Sequence, residues 1–319
     1  MNLFATVLTY PAPSANYRGE SEQNRTVIQK ITDGRFEYPV ISPEAMRNAL
    51  REILASYGLP CNRARLHDED QLAVKFLKYP YPEEYIDDFF FGYMVAAKPE
   101  KRKEILEEIK KENRPCGFQF KRDSVLRMNL AKSLEPYRHN SLLTQSPQHS
   151  KDSPWQNADN SALLHRETVH TAFQYPFALN LNECRKQTFK KKAGDSEEKV
   201  NGLEFLLKAI SELNNVAGNH ARSYYEMAPA SIVIRLSDSL VAGYNTYGFT
   251  KEGDFPEVIE GIRKGDYPGN EFHIGGKIVK DMEEKKQVEL TEKKVTLDRN
   301  AQRLITMACG KILVKENGK

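Results

Sequence analysis

Cysteine is scarce and scattered: Cys61, Cys116, Cys184 and Cys309 stand far apart in 319 residues, with no Cys-x-x-Cys. That spacing excludes a zinc knuckle and a disulfide scaffold, and predicts buried thiols. Long apolar runs are missing too. No window approaches the roughly eighteen apolar residues of a membrane span, and no basic stretch followed by an apolar run opens the chain, so the expectation is a cytoplasmic protein with no membrane partner. Neither sign of charge dominates, with 47 Lys and Arg against 44 Asp and Glu. Any polyanion site must therefore come from local clustering. Nucleophile-elbow, Walker, Rossmann, His-Glu-x-x-His and EF-hand patterns are absent, so no catalytic residue, metal site or cofactor is expected. His165 and His170 stand five apart near a predicted strand, on opposite faces, which argues against a shared metal. No repeat of about 20 to 50 residues is visible, which excludes a solenoid. The length fits one core domain with insertions as well as two domains.

What is present begins with residues 3–10, rich in β-branched, aromatic and aliphatic side chains and stopped by Pro11 and Pro13; this predicts a strand. A polar loop follows, in which Asn16, Arg18, Asn24 and Arg25 can donate to phosphate and sugar, while Gly19 permits close backbone approach. Ser42, Pro43 and Glu44 then supply an N-cap hydroxyl, a proline at the first helical position and a carboxylate at the positive end of the dipole. Met46, Leu50, Ile53, Leu54 and Tyr57 continue at helical spacing to Gly58 and Pro60. The opposite, exposed face carries Glu44, Arg47, Asn48 and Arg51, with Arg47 and Arg51 one turn apart.

Helical signals at 81–91 and 99–109 mark an insertion, the second with the mixed charges of a solvated helix. Residues 122–134 read as a strand with Arg127 on its wet face. Residues 135–166 form a long polar excursion that includes Trp155, a length that points to function or disorder. A strand at 169–181 contains Pro176, which calls for a bulge or an edge. Lys190, Lys191 and Lys192 open a charged loop; residues 202–213 form an amphipathic helix; residues 231–236 form a central strand. Beyond 240 come a helix at 255–263, strands at 272–274 and 277–279, and a helix from 297 to 308 closed by Gly310.

The order strand, helix, insertion, strand, excursion, strand, helix, strand is that of a ferredoxin-like α+β domain. The expected units are 1–57, 122–135 and 167–240 for the palm, 58–121 for a helical insertion, 136–166 for a thumb-like excursion and 241–319 for an extension packed on the palm. Holding single-stranded RNA needs cations, donors for 2′-hydroxyls and surfaces for bases. Asn16, Arg18, Asn24, Arg25, Arg47, Asn48 and Arg51 are the candidates for gripping a sugar-phosphate backbone, with Arg122, Arg127, His220 and Arg222 second.

Residues 14–19 (Ser-Ala-Asn-Tyr-Arg-Gly) and 41–52 (Ile-Ser-Pro-Glu-Ala-Met-Arg-Asn-Ala-Leu-Arg-Glu) resemble the DevR family. That family forms the repeated backbone subunit, the Cas seven group, of type I CRISPR Cascade complexes, here of a subtype I-B like kind. Phe91-Gly92-Tyr93-Met94, Lys121-Arg122-Asp123-Ser124, residues 131–137, Tyr175-Pro176-Phe177 and residues 218–222 follow in the family's order, to about residue 240. The resemblance implies an RRM-like palm and a thumb folded over the guide of a neighbouring copy, displacing a base at regular intervals. The implied partners are crRNA, a target DNA strand, other copies of the chain and other Cascade subunits. Related type III subunits cut RNA with an aspartate after the first strand. Here residues 11–31 hold Glu20 and Glu22 but no aspartate, and Asp33 lies outside, which disfavours an endoribonuclease. A free-standing DNA-binding regulator, as the family's historical name suggests, lacks a recognition-helix signature.

Overall fold

In Asn2–Leu8 (β1) every second side chain, Leu3, Ala5 and Val7, belongs to one buried cluster, while Leu8 belongs to another on the opposite side. A strand buried on both faces is central, and the computed structural model places β1 in the middle of a nine-stranded sheet. The structure describes residues 1–15, 17–22, 25–65, 74–111, 118–145, 163–216 and 224–314. The sheet runs Thr296–Asp298, Phe272–Gly276, Ser231–Ser237, β1, Phe173–Asn180, Ala131–Ser133, Phe36–Ile41, Lys30–Asp33, with Leu126–Met128 also paired to Phe173–Asn180. Among the described residues its pairings are antiparallel except Phe272–Gly276 with Thr296–Asp298. The fold is α+β, built on this mixed sheet.

One face of the sheet is covered by helix α1 (Pro43–Ser56) and the helices Gly202–Ser211 and Ala301–Val314. Met46, Leu50, Leu54, Leu206, Ile210, Leu304 and Ile305 pack there against Leu3, Ala5, Val7, Ile232 and Ile234. Each such large side chain fully withdrawn from water contributes about 2 kcal/mol. The other face receives Pro256–Lys264, whose Val258, Ile259 and Ile262 meet Leu8, Val233 and Ile274. Between α1 and Leu126–Met128 lie helix α2 (Ile86–Phe91) and helix α3 (Pro99–Lys111), the latter burying only Ile105 and Ile109 of its length.

Several expectations are corrected. The polar loop after β1 is strand: Ala12–Ser14, Tyr17–Glu22 and Arg25–Ile28. The last two join Ser141–Gln145 and Leu163–Glu167, from the excursion, in a separate four-stranded sheet. Tyr17–Glu22 and Arg25–Ile28 pair with each other, and Arg25–Ile28 pairs in turn with Leu163–Glu167, more than a hundred residues away, a partner of which local composition carried no sign. Buried Glu167 ties this sheet to the main one, accepting from Ile28 N at 3.1 Å with Lys30 Nζ at 3.8 Å. Residues 146–162, with Trp155, lie outside the described residues.

Pro176 sits inside a central strand, in register with Thr6. The break falls in the neighbour instead, between Leu126–Met128 and Ala131–Ser133, where Asn129 N donates to Pro176 O at 3.2 Å. The lysine loop is one arm of a hairpin, Thr188–Ala193 with Ser196–Asn201, turned at Gly194 with φ +63°. Residues 277–279 are helical, in Lys277–Asp281. Gly276, at φ +94°, turns the chain where any Cβ would strike the Ala230 carbonyl, and the Ser231 hydroxyl accepts from Ile278 N. The last helix starts later than expected and runs through Gly310, while Leu297 lies in a strand.

Candidate nucleic-acid interface

Helix α1 starts as its caps dictate. The Ser42 hydroxyl accepts from Ala45 N at 3.2 Å, Pro43 occupies the first turn, and Met46, Ala49, Leu50 and Leu54 fix the rotation by facing the sheet. That rotation aims Arg47, Asn48 and Arg51 away from the core. Arg51 is nevertheless buried, 7% exposed, which corrects the expectation of an exposed pair. The cause is α2, which docks against this face: Asp87 Oδ2 lies 3.4 Å from Arg51 Nε, and the Arg51 guanidinium stands 5.0 Å from the Phe91 ring centroid. Arg51 Nη1 donates to Asn48 Oδ1.

Arg47 is half-buried. It reaches Leu126 O at 3.4 Å and lies 3.6 Å from Glu44. Burial pulls its pKa down, Glu44 opposes that, and the nearby charges of Arg127 and Arg63 lower it further. Arg51 is pulled down to about 10, by burial first and then by Arg63, with Asp87 opposing. Both stay protonated at neutral pH. The Nε atoms of Arg47, Arg51 and Arg122 are buried and donate no hydrogen bond. Burying donors without hydrogen-bond acceptors is unfavourable, and Arg51 Nε is compensated only by the Asp87 carboxylate at ion-pair distance.

Sequence reasoning missed Arg63, Asn62, Asp87 and Asp88. Arg63 donates through Nε to Asp87 Oδ2 at 3.3 Å and through Nη2 to Gly92 O at 2.8 Å. Asp87 and Asp88 are both fully buried; Asp88 Oδ2 accepts from Asn62 Nδ2 at 2.9 Å and Tyr81 N at 3.0 Å. Burial, then the Asp87 charge, pushes the Asp88 carboxyl up to about 6. The signal was readable: two acids heading Ile86-Asp87-Asp88-Phe89-Phe90-Phe91 cannot be hydrated in an apolar helix and must have cationic or amide partners.

Asn48, Arg51 and Arg63 line a groove of about 400 Å³ with Leu59, Cys61 and Leu77. Its floor continues through Leu59, Cys61 and Leu77 into a cleft of about 950 Å³ beneath the lysine hairpin. The structure thus unites Asn48 and Arg51 in one groove, with Arg47 beside them and exposed Arg127 close to Arg47. Arg122 approaches the other flank of α2, 5.0 Å from the Phe89 ring centroid. Arg18 and Arg25 lie on the four-stranded sheet by their backbones; their side chains, and Asn16, Asn24, His220 and Arg222, lie outside the described residues. Cys184 and Cys309 are buried thiols pushed up to about 12, chiefly by burial. Among the described residues no helix is long and apolar enough to cross a membrane, and no group of three or more His, Cys, Asp or Glu could hold a metal ion.

No protein-family model matches the chain. It is similar to "CRISPR-associated protein Cas7/Cst2/DevR" of Myxococcus xanthus (strain DK1622), 26% identical over 297 residues, 88% of each chain. Among solved structures it is similar to a chain of a "CRISPR RNA-guided surveillance complex, pre-nicking", with TM-score 0.58 and 11% identity over 98% of this chain and 100% of that one. A chain of a "CRISPR RNA-guided surveillance complex" matches with TM-score 0.52 and 11% identity, over 98% and 99%. At such identity the likeness to the solved chains is one of fold, and it spans nearly the whole length of both partners.

Proposed function

We propose that this protein is a non-catalytic, crRNA-binding backbone subunit of a cytoplasmic Cascade surveillance complex. Copies are laid head to tail along the guide, beside other Cascade subunits, and display it to a target DNA strand. The observation that carries this reading is the convergence of Asn48, Arg51 and Arg63 on one groove, with Arg47 and exposed Arg127 beside it, where guanidinium nitrogens can donate to phosphate oxygens. The relative of the Cas7/Cst2/DevR kind, aligned over 88% of the chain, supports it. So does the fold of the surveillance-complex chains.

Arginines and an asparagine that meet phosphate and sugar hold any sequence equally and leave base edges readable, so pairing rather than protein reads the target. Repetition along a strand requires a heterologous interface that does not close on itself. A ferredoxin-like palm goes with this reading, supported by the antiparallel order Ser231–Ser237, β1, Phe173–Asn180, Ala131–Ser133 with α1 and Gly202–Ser211 on one face. The absence of aspartate from residues 11–31 supports a non-catalytic role.

The test is affinity for two unrelated single-stranded RNAs across a salt series. Arg47→Glu with Arg127→Glu should weaken both about equally and flatten the slope of log affinity against log salt by about one to two units. Marked preference for one sequence, or affinity indifferent to these residues, refutes the reading. Protein purified from its host should carry a protected RNA of uniform length.

A further inference from the structure

Asp87 is an acid placed inside a site read here as binding a polyanion. It is fully buried in the first turn of α2. Its Oδ1 accepts from Asn62 N at 2.7 Å, and its Oδ2 accepts from Arg63 N at 3.2 Å and Arg63 Nε at 3.3 Å. The same Oδ2 lies 3.4 Å from Arg51 Nε. It therefore meets both arginines at the near end of the guanidinium. The other nitrogens are held in part: Arg51 Nη1 by Asn48, and Arg63 Nη2 by the Asp87 and Gly92 carbonyls. Arg51 Nη2 and Arg63 Nη1 have no hydrogen-bond partner among the described residues, and both side chains line the groove.

We propose that Asp87 is a positioning residue that locks Arg51 and Arg63 side by side, so that their remaining terminal nitrogens meet successive phosphate oxygens of the guide in a preset register. The inference rests on the RNA-binding reading and adds how the grip is set. A long arginine side chain loses much rotamer freedom when it clamps a ligand; the carboxylate removes that freedom before binding. Its charge and that of Glu52, which also lines the groove, repel phosphate and match Arg51 and Arg63 in number; Arg47 and Arg127 beside the groove, set against Glu44, tip the local balance to positive. Breadth of recognition follows as well, since a fixed pair of forks registers the strand without consulting its bases.

The sign of one substitution separates this from a bystander role. Asp87→Asn removes a negative charge beside a polyanion, so a bystander carboxylate would give tighter binding to labelled single-stranded RNA. A positioning carboxylate gives weaker binding, by about tenfold, because two arginine side chains must then be ordered at the moment of binding. The loss should not add to that of Arg63→Gln, because both remove the same register. Tighter or unchanged binding, or fully additive losses, overturns the inference. Should Asp87→Asn fail to fold, Arg63→Lys decides: it keeps the charge but loses the Nε contact, and wild-type affinity in that variant overturns the inference too. A folded wild-type protein that binds neither RNA sinks the proposed function and this inference with it; wild-type binding with variants indifferent sinks only this one.

Discussion

Replacing Asp88 with asparagine should stabilise the protein at neutral pH and not in acid. The carboxyl is fully buried; Oδ2 is satisfied by Asn62 and Tyr81, whereas Oδ1 has no hydrogen-bond partner. In the folded state its pKa stands at about 6 against 3.8 for the model carboxyl. The folded protein thus keeps a proton that the unfolded chain releases. Its contribution is fully present below 3.8 and is lost as pH rises through about 6, so stability falls across that window. A shift of about two units corresponds to about 3 kcal/mol at neutral pH. In Asp88→Asn the amide oxygen still accepts from both donors, Asn62 Nδ2 and Tyr81 N, and no charge has to be buried. Urea unfolding of both proteins from about pH 4 to about pH 8 should therefore show the variant gaining about 2 to 3 kcal/mol relative to wild type over the series. Parallel profiles, or a variant that loses ground as pH rises, would refute the account of α2 as a helix carrying an uncompensated acid.

Gly92 holds φ +62°, and a Cβ there would strike the Arg122 carbonyl. Gly92→Ala should lower stability by about 2 to 3 kcal/mol in urea and loosen Arg63, whose Nη2 bonds the Gly92 carbonyl. Glu167→Gln should leave global stability within about 1 kcal/mol yet speed amide exchange at Ile28, because a neutral amide no longer pairs with Lys30. Unchanged exchange at Ile28 would show that the four-stranded sheet is fastened elsewhere.

The elements whose evidence is local were legible. α1 was readable from Ser42, Pro43 and the Met46, Leu50, Leu54 spacing, and the central strands β1 and Ser231–Ser237 from their β-branched, aromatic and aliphatic side chains. What could not be read was set by distant partners. Tyr17–Glu22 and Arg25–Ile28 are polar enough to pass for loop; they form a hairpin that joins a sheet because Leu163–Glu167 arrives beside Arg25–Ile28. Pro176 reads as an edge residue until the neighbouring strand is seen to break opposite it. Arg51 lies on the polar side of its helix, and only the docking of α2 buries it.

That burial alters the way the groove would recognise its ligand. Two solvated arginines one turn apart offer charge without direction, and exposed ion pairs of that kind give little energy and no geometry. Arg51 and Arg63, held at their Nε atoms by one carboxylate and backed by Phe91 and Phe76, offer direction as well. On the proposed reading the segment that supplies α2 is therefore part of the binding groove: without Asp87, Gly92 and the aromatic rings, the α1 arginines would be an ordinary wet face. A helix that looks sufficient in sequence depends for its chemistry on a segment some thirty-five residues further along the chain, as the Arg51 to Asp87 pairing requires.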